Sequence, residues 1–171
     1  DVVRGFRFAN SSIFTQGANG IAFDANTSFN NTFSGISFNI EGVSGNGIFV
    51  GASFNSFSFY DSVFNVSSSG GSNLFIASAV LGGEWNFTNV SRSVGGPFTK
   101  NWQAGAIGTL NVHWYVDAYA NDSFSFPLAN VNISAVDRYY QPPPPEYPVS
   151  FSTLTGTDGR IAKQIILESR T

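Results

Sequence analysis

The chain has 171 residues, with 8 basic and 11 acidic side chains and a formal net charge of −3. Charged residues make up 11% of it, whereas ordinary globular domains contain about 25%. So few cations exclude a surface that follows nucleic-acid phosphates, and we expect no nucleic-acid partner. Cysteine is absent, which excludes a disulfide framework and thiolate metal sites. No apolar run approaches the roughly 20 residues that cross a bilayer, so we expect no membrane span in this chain.

The composition changes near residue 108, and we predict two domains, 1–108 and 109–171. The first contains 15 of the 18 Phe and 16 of the 18 Gly, whereas six of the seven Pro lie in the second. Short alternating runs of Phe, Ile and Val between Gly, Asn and Ser predict short strands and turns, and no segment has helical periodicity. The sequence therefore predicts an all-β protein.

The first domain contains an internal repeat. Asn19, Asn46 and Asn73 are spaced 27 residues apart. A repeat of about 20–50 residues with short strands indicates stacked coils, each of which buries its apolar side chains only against its neighbours. We expect a β-solenoid in which like residues stack about 4.8 Å apart and these asparagines form a ladder at a turn. Two sets of residues at fixed offsets are expected to stack in the same way: Phe33, Tyr60 and Phe87, and Ile36, Val63 and Val90.

Residues 3–108 also carry a resemblance, in phrases such as NNTFSGISFNIEGVSGNGIFVGASFNSFSFYDSVFNV. They resemble the right-handed parallel β-helix repeat proteins of the pectate-lyase-like superfamily, as these occur in archaeal and other prokaryotic surface proteins. The resemblance implies a short right-handed parallel β-helix and an extracellular or cell-surface location.

The second domain has no such repeat. Its segments PLANVNISAVD and TLTGTDGRIAKQIIL, with a turn at residues 157–160, resemble the small Ig-like modules related to carboxypeptidase regulatory-like domains. The resemblance implies a small antiparallel Ig-like β-sandwich and names no chemistry. A polyproline run at residues 141–148 is interpreted as a stiff extended loop, and the alternative is a docking element for a neighbouring subunit.

The motif Asn-x-Ser/Thr occurs eight times, more often than the composition predicts by chance. This excess predicts N-linked glycans on a secreted protein. The alternative is that Asn and Ser cluster in turns, where both side chains bond the local backbone. The candidate glycosylation sites are Asn10, Asn26, Asn30, Asn65, Asn86, Asn89, Asn121 and Asn132.

The candidate catalytic groups are isolated along the chain. Asp24, Asp61 and Glu84 fall at different offsets within their repeats, so we do not expect them to meet as the paired carboxylates of lyases and hydrolases do. His113, the single histidine, lies in an alternating strand without a Gly-x-Ser-x-Gly elbow, and a structural role is the favoured interpretation. We therefore expect no enzymatic activity, no cofactor and no metal site.

Three functions remain. The favoured one is a structural subunit of an extracellular filament or cell-surface layer that binds copies of itself, because a strand begins almost at once and no cap precedes it. The second is an adhesin that displays Trp85, Trp102 and Tyr60 to glycans. A polysaccharide lyase or hydrolase is the least favoured. The residues expected in the assembling terminal strands are Val2, Val3, Phe6, Phe8, Ile161, Ile165 and Leu167.

Overall fold

The computed structural model describes residues 3–24, 28–53, 55–92, 98–136 and 150–170. These residues contain strands, turns and loops and no helix, which confirms the predicted all-β class. The strands are β1 Val3–Arg4, β2 Arg7–Gln16, β3 Ile21–Phe23, β4 Ser28–Phe29, β5 Asn31–Glu41, β6 Ile48–Val50, β7 Asn55–Tyr60, β8 Val63–Val66, β9 Leu74–Ile76, β10 Leu81–Thr88, β11 Ser91–Arg92, β12 Lys100–Trp102, β13 Ile107–Val116, β14 Asn132–Val136, β15 Ser150–Leu154 and β16 Gln164–Arg170.

The chain divides into two compact units. Unit 1 comprises Asp1–Val112 with Ser169–Thr171, and unit 2 comprises His113–Glu168. Unit 1 contains a β-solenoid of about four turns, as the repeat predicts. Among the described strands, three parallel ladders of four strands each connect its turns, and β1 also pairs in parallel with β4. The first joins β2, β5, β7 and β10, the second joins β2, β5, β8 and β11, and the third joins β3, β6, β9 and β12.

A column of residues with positive φ forms the corner between the first two ladders. It contains Asn10, Gly35, Asp61 and Asn89, with φ of 50°, 60°, 49° and 52°. Left-handed backbone angles are accessible to Gly and, at small cost, to Asn and Asp. At this corner, each turn of the solenoid therefore has a residue type that tolerates a left-handed backbone. Across one step of this column, Asn89 Nδ2 donates a hydrogen bond to Asp61 Oδ1 at 2.6 Å.

Stacked aromatic rings fill the interior of the solenoid. Phe33, Phe59 and Phe87 form one stack, with successive ring centroids 4.5 and 5.5 Å apart. Phe38 and Phe64 form a second, with centroids 4.2 Å apart. All five side chains are buried, and full burial of a Phe side chain stabilises a fold by about 1.5–3 kcal/mol. Parallel ladders with about 4.8 Å between strands produce these stacks when each turn supplies one inward ring.

The stacking register differs from a uniform 27-residue repeat. Phe33 pairs with Phe59 and not with Tyr60, and Val63 pairs with Ser37, one residue beyond its expected partner. The offset between paired residues is 26 from β5 to β7 and 28 from β7 to β10. The 27-residue spacing read from the sequence is therefore an average of these two offsets. A shift of one residue turns a strand side chain to the other face, and Tyr60 is accordingly only half-buried.

The predicted asparagine ladder is present in part. Asn19 Oδ1 accepts hydrogen bonds from the backbone N–H and Nδ2 of Asn46, at 2.9 and 3.1 Å. Asn46 Oδ1 accepts from the N–H and Oγ of Ser72, both at 3.0 Å, so Ser72 continues this column in place of Asn73. Asn73 Oδ1 instead accepts from the N–H and Oγ1 of Thr99, at 2.8 and 2.6 Å. These side chains satisfy backbone donors where the chain turns.

Unit 2 contains a small antiparallel sheet. It is formed by β14 and β15. Beyond β15, the buried Thr155 donates its hydroxyl to Leu128 O at 2.6 Å and accepts from Val131 N–H at 3.0 Å. The turn predicted at residues 157–160 is confirmed, with Gly159 at a φ of 75°. The described part of unit 2 thus shows antiparallel pairing of two short strands.

Some sequence features lie outside the described residues. They are the sequon asparagine Asn26, the terminal Val2 and the polyproline run at residues 141–148. Within the described ranges, no helix has the length and apolar character needed to cross a membrane.

Candidate functional site

The first described turn leaves one end of the apolar stack partly uncovered. Its side chains Phe8, Ile13 and Ile21 pack against the core but remain half-buried. Phe38, which pairs with Ile13 from the next turn, is fully buried. Phe6, just before β2, is exposed. Phe8, Ile13 and Ile21 therefore have a packing partner on one side and, among the described residues, incomplete cover on the other, whereas Phe23 of the same turn is buried.

The same turn has an open strand edge. β2 pairs with β5 from Arg7 opposite Thr32 to Gln16 opposite Glu41, and no other described strand pairs with β2. A row of unpaired N–H and C=O groups can template a further strand. Natural edges are usually blocked by charges or proline, but Arg7 is the one charged residue of β2, and β2 contains no proline. Its outward Phe14 is 63% exposed.

The described residues among those predicted for N-terminal assembly lie at or near this edge. Phe6 and Phe8 belong to the uncovered end, and Val3 lies in β1, which pairs with β4. Sequence reasoning missed Ile13 and Ile21, although their alternation with polar residues was an available signal.

The residues predicted for C-terminal assembly are in different environments. Ile161 is buried, and its N–H donates to Ala118 O at 3.1 Å, so it belongs to the interior of unit 2. Ile165 in β16 is exposed, and Leu167 is half-buried. Of these three side chains, Ile165 is the most accessible to a partner.

The described sequon asparagines form two groups. Asn65 Nδ2 donates to Asn39 Oδ1 at 2.7 Å, and Asn86 Oδ1 accepts from Asn111 Nδ2 at 2.8 Å. These two, with Asn89 in the corner column, are half-buried in hydrogen bonds between turns. The exposed group consists of Asn10, Asn30, Asn121 and Asn132.

The tryptophans predicted to face glycans pack inward. Trp85 is 0% exposed, so its prediction as a displayed aromatic is wrong. The backbones of Gly83 and Gly108 make room for its indole, and a β-carbon on Gly83 would lie 2.6 Å from Trp85 Cζ2. Trp102 is half-buried and donates its Nε1–H to Ala106 O at 3.0 Å.

Exposed aromatics that sequence reasoning missed lie on a hairpin of unit 2. Phe124 is 79% exposed, and Phe126 is also largely exposed. Asp122 Oδ1 accepts from the N–H of both residues at 2.9 Å, which fixes the loop that carries them. Turn-forming Asp and Ser residues flank them in the sequence, but no pattern in the sequence predicts that both rings are exposed.

The acidic side chains make scattered polar contacts. Glu84 Oε1 accepts from Asn111 Nδ2 at 3.2 Å, and Asp117 forms an exposed ion pair with Arg160 at 3.3 Å. In the part of the chain that the structure describes, no group of three or more His, Asp or Glu is placed to hold a metal ion. The described carboxylates thus contribute hydrogen bonds and an ion pair.

His113 lies in β13 and is half-buried. Burial disfavours the imidazolium and lowers the pKa of His113 below its usual value of 6.5. Its Nδ1 is buried and has no hydrogen-bond partner among the described residues. The histidine is therefore held neutral in the folded chain near neutral pH.

We expect acid to destabilise the chain through His113. Below about pH 6.5 the unfolded histidine binds a proton, while the folded one, whose pKa burial lowers, binds its proton only at lower pH. Stability is therefore complete above that pH and falls as the pH drops below it. Urea midpoints at pH 8 and pH 5 measure the effect, and the non-titrating His113→Gln variant should lose less stability between them. An equal loss in both proteins would contradict this prediction.

The geometry at the first turn offers backbone hydrogen bonds and apolar surface to a strand from another chain. It is the described surface that best matches an assembly site. No family model, no curated protein and no solved structure matches this chain.

Proposed function

We propose that this chain is a structural subunit of an extracellular filament or cell-surface layer, in which the edge of β2 and β3 pairs with another copy. The observation that supports the proposal is the open ten-residue edge of β2 with half-buried Phe8 and Ile13 behind it. A strand added there would extend the ladders and cover the apolar stack in one step. Each Å² of apolar surface that the added strand covers would contribute about 25 cal/mol to the free energy of association.

The proposal includes the finer fold assignments. The solenoid is a right-handed β-helix of the pectate-lyase-like kind, and the antiparallel sheet of unit 2 belongs to an Ig-like module related to carboxypeptidase regulatory-like domains. Support comes from the repeat in the sequence and from the turn at residues 157–160. The protein is extracellular, carries N-linked glycans and performs no catalysis. The low charge and the excess of sequons support this location.

The assembly proposal is tested by electron microscopy of the full chain at high concentration. Wild type is expected to form filaments or sheets. Ile13→Glu places a charge on the surface that pairing would bury, and an unpaired buried charge is costly, so assembly should be lost. Gln16→Glu adds the same charge to an exposed position of β2 and should still assemble.

The variants must remain folded for this comparison. Circular dichroism and thermal unfolding of dilute Ile13→Glu check that the solenoid persists. Wild-type monomers at high concentration would overturn the proposal and indicate that another segment covers this end. Filaments that form equally well with Ile13→Glu would show that assembly uses another surface.

A second candidate is an adhesin. It is favoured by the exposed rings of Phe124 and Phe126 on a hairpin fixed by Asp122. Rigid exposed aromatics bind partners at low entropic cost. Titration with a panel of soluble oligosaccharides, followed by NMR, tests it, and Phe124→Ala should abolish any binding detected. A polysaccharide lyase or hydrolase remains the least favoured alternative.

A further inference from the structure

Asn121 differs from the other described sequon asparagines in its surroundings. It is exposed and forms an antiparallel bridge with Pro127 at the base of the hairpin. Two residues earlier, Tyr119 forms an antiparallel bridge with Arg160, and its side chain is 45% exposed. Residues two apart in an extended segment project to the same side. The side chains of Tyr119 and Asn121 therefore share one side of this segment.

An apolar surface adjoins Asn121 on that side. Gly159 is buried, and a β-carbon on it would lie 2.8 Å from Tyr119 Cε2 and 3.0 Å from Pro127 Cβ. Because Gly159 has no side chain, Tyr119 and Pro127 can approach each other over it. Directly opposite residues of an antiparallel pair have β-carbons about 4.5–5.5 Å apart, which places Pro127 beside the Asn121 side chain.

The segment that carries this surface is well fixed. Asp122 N–H donates to Phe126 O at 3.0 Å, and Leu128 N–H donates to Ala120 O at 3.0 Å. The Arg160 guanidinium lies 5.5 Å from the centroid of the Tyr119 ring. A group attached to Asn121 would therefore meet an ordered surface, which reduces the entropy lost when a contact forms.

Two other exposed sequon asparagines, Asn132 and Asn10, lack this combination. Asn132 is preceded two residues earlier by the polar Asn130, and its Oδ1 accepts from Ser152 Oγ at 2.8 Å. Asn10 is preceded by Phe8, but that ring packs against the solenoid core. Asn132 therefore serves as the control for Asn121, because it is also an exposed sequon asparagine but has no aromatic residue two positions before it.

We propose that Asn121 is an N-glycosylation site whose first sugar packs against Tyr119 and Pro127 and thereby stabilises unit 2. The C–H groups on one face of a pyranose are weakly positive and are attracted to the negative face of an aromatic ring. This inference rests on the extracellular location proposed above. It does not depend on assembly.

The modification is a transfer of an oligosaccharide to the Asn121 amide. The donor is a lipid-linked oligosaccharide phosphate, and the enzyme is an oligosaccharyltransferase. A bond forms between Asn121 Nδ2 and the anomeric carbon, while the bond from that carbon to the phosphate oxygen breaks. The lipid phosphate leaves with the electron pair, and Nδ2 loses one proton to a base of the transferase. No oxidant or reductant is required.

The test compares the full chain secreted from a yeast host, which attaches N-glycans, with the same chain made in bacterial cytoplasm. Glycopeptide mass spectrometry measures occupancy at each sequon, and calorimetry measures Tm. Ser123→Ala removes the Asn121 sequon and keeps the asparagine, and Ser134→Ala does the same for Asn132. We expect Asn121 to be occupied. Ser123→Ala should lower Tm by about 4 °C in the yeast protein, the size of one aromatic contact in a small domain, and leave the bacterial protein unchanged. Ser134→Ala should change Tm in neither.

The role of the ring is tested by a double-mutant cycle. In a Tyr119→Ala background, Ser123→Ala should no longer lower the Tm of the yeast protein. Should Tyr119→Ala not fold, contacts between sugar protons and Tyr119 ring protons in NMR spectra of the glycosylated wild type provide the readout. An unoccupied Asn121, a Tm effect that persists without the ring, or the absence of such contacts would overturn the inference. Filament formation is scored separately, so failure of either proposal is distinguishable.

Discussion

Replacing Phe59 with Ala is expected to lower the free energy of unfolding by about 3–5 kcal/mol. Phe59 is 0% exposed and lies at the middle of the longest ring stack, between Phe33 and Phe87. The backbone ladders fix the spacing of the turns, so the neighbouring rings cannot close the cavity that the substitution leaves. Both the buried apolar area and the contacts of the adjoining turns are lost.

Phe14→Ala is the matched control for this measurement. Phe14 belongs to the same solenoid but is 63% exposed, and surface substitutions usually change stability by less than about 0.5 kcal/mol. Urea unfolding of both variants, at low protein concentration and followed by the fluorescence of the buried tryptophan, gives the comparison. Similar losses for the two variants would contradict the described core.

Gly47→Ala should also destabilise the solenoid, by about 1–3 kcal/mol, as overpacking of a filled core does. The added β-carbon would lie 2.6 Å from Phe64 Cδ1 and 2.8 Å from Asn73 O. Phe64 is held in its stack with Phe38. The Asn73 carbonyl belongs to the next turn and accepts a hydrogen bond from Ile48 N–H at 2.9 Å. Neither group can move without disturbing the stacking of turns.

Gly70→Ala tests whether this effect is steric. The nearest atom to a β-carbon on Gly70 is Val43 O at 3.4 Å, and neither glycine has a left-handed φ. The two substitutions therefore cost the same in backbone freedom and differ in the space available. Thermal unfolding should show a clear loss for Gly47→Ala and little change for Gly70→Ala, and a loss for both would refute the steric explanation.

The sequence by itself determined the class of fold. Alternation of Phe and Ile with small polar residues specifies strands, and the approximate repeat specifies stacking, because a single coil cannot bury its own apolar side chains. Asn10 and Asp61 at the corner illustrate the local rule, since residues of these types tolerate the left-handed angles that the bend requires.

Only the tertiary structure decided the register, the orientation of particular aromatic residues and the location of the candidate site. The loops between strands differ in length, so Ser72 and not Asn73 follows Asn46 in the ladder. The indole of Trp85 fits inward because Gly108 of β13, as well as Gly83 of its own strand, leaves room for it, and the contact with Gly108 is not encoded by local composition. The proximity of Pro127 to Asn121 likewise arises from cross-strand pairing. Contacts of this kind depend on which strands become neighbours, and a pattern within one strand cannot specify them.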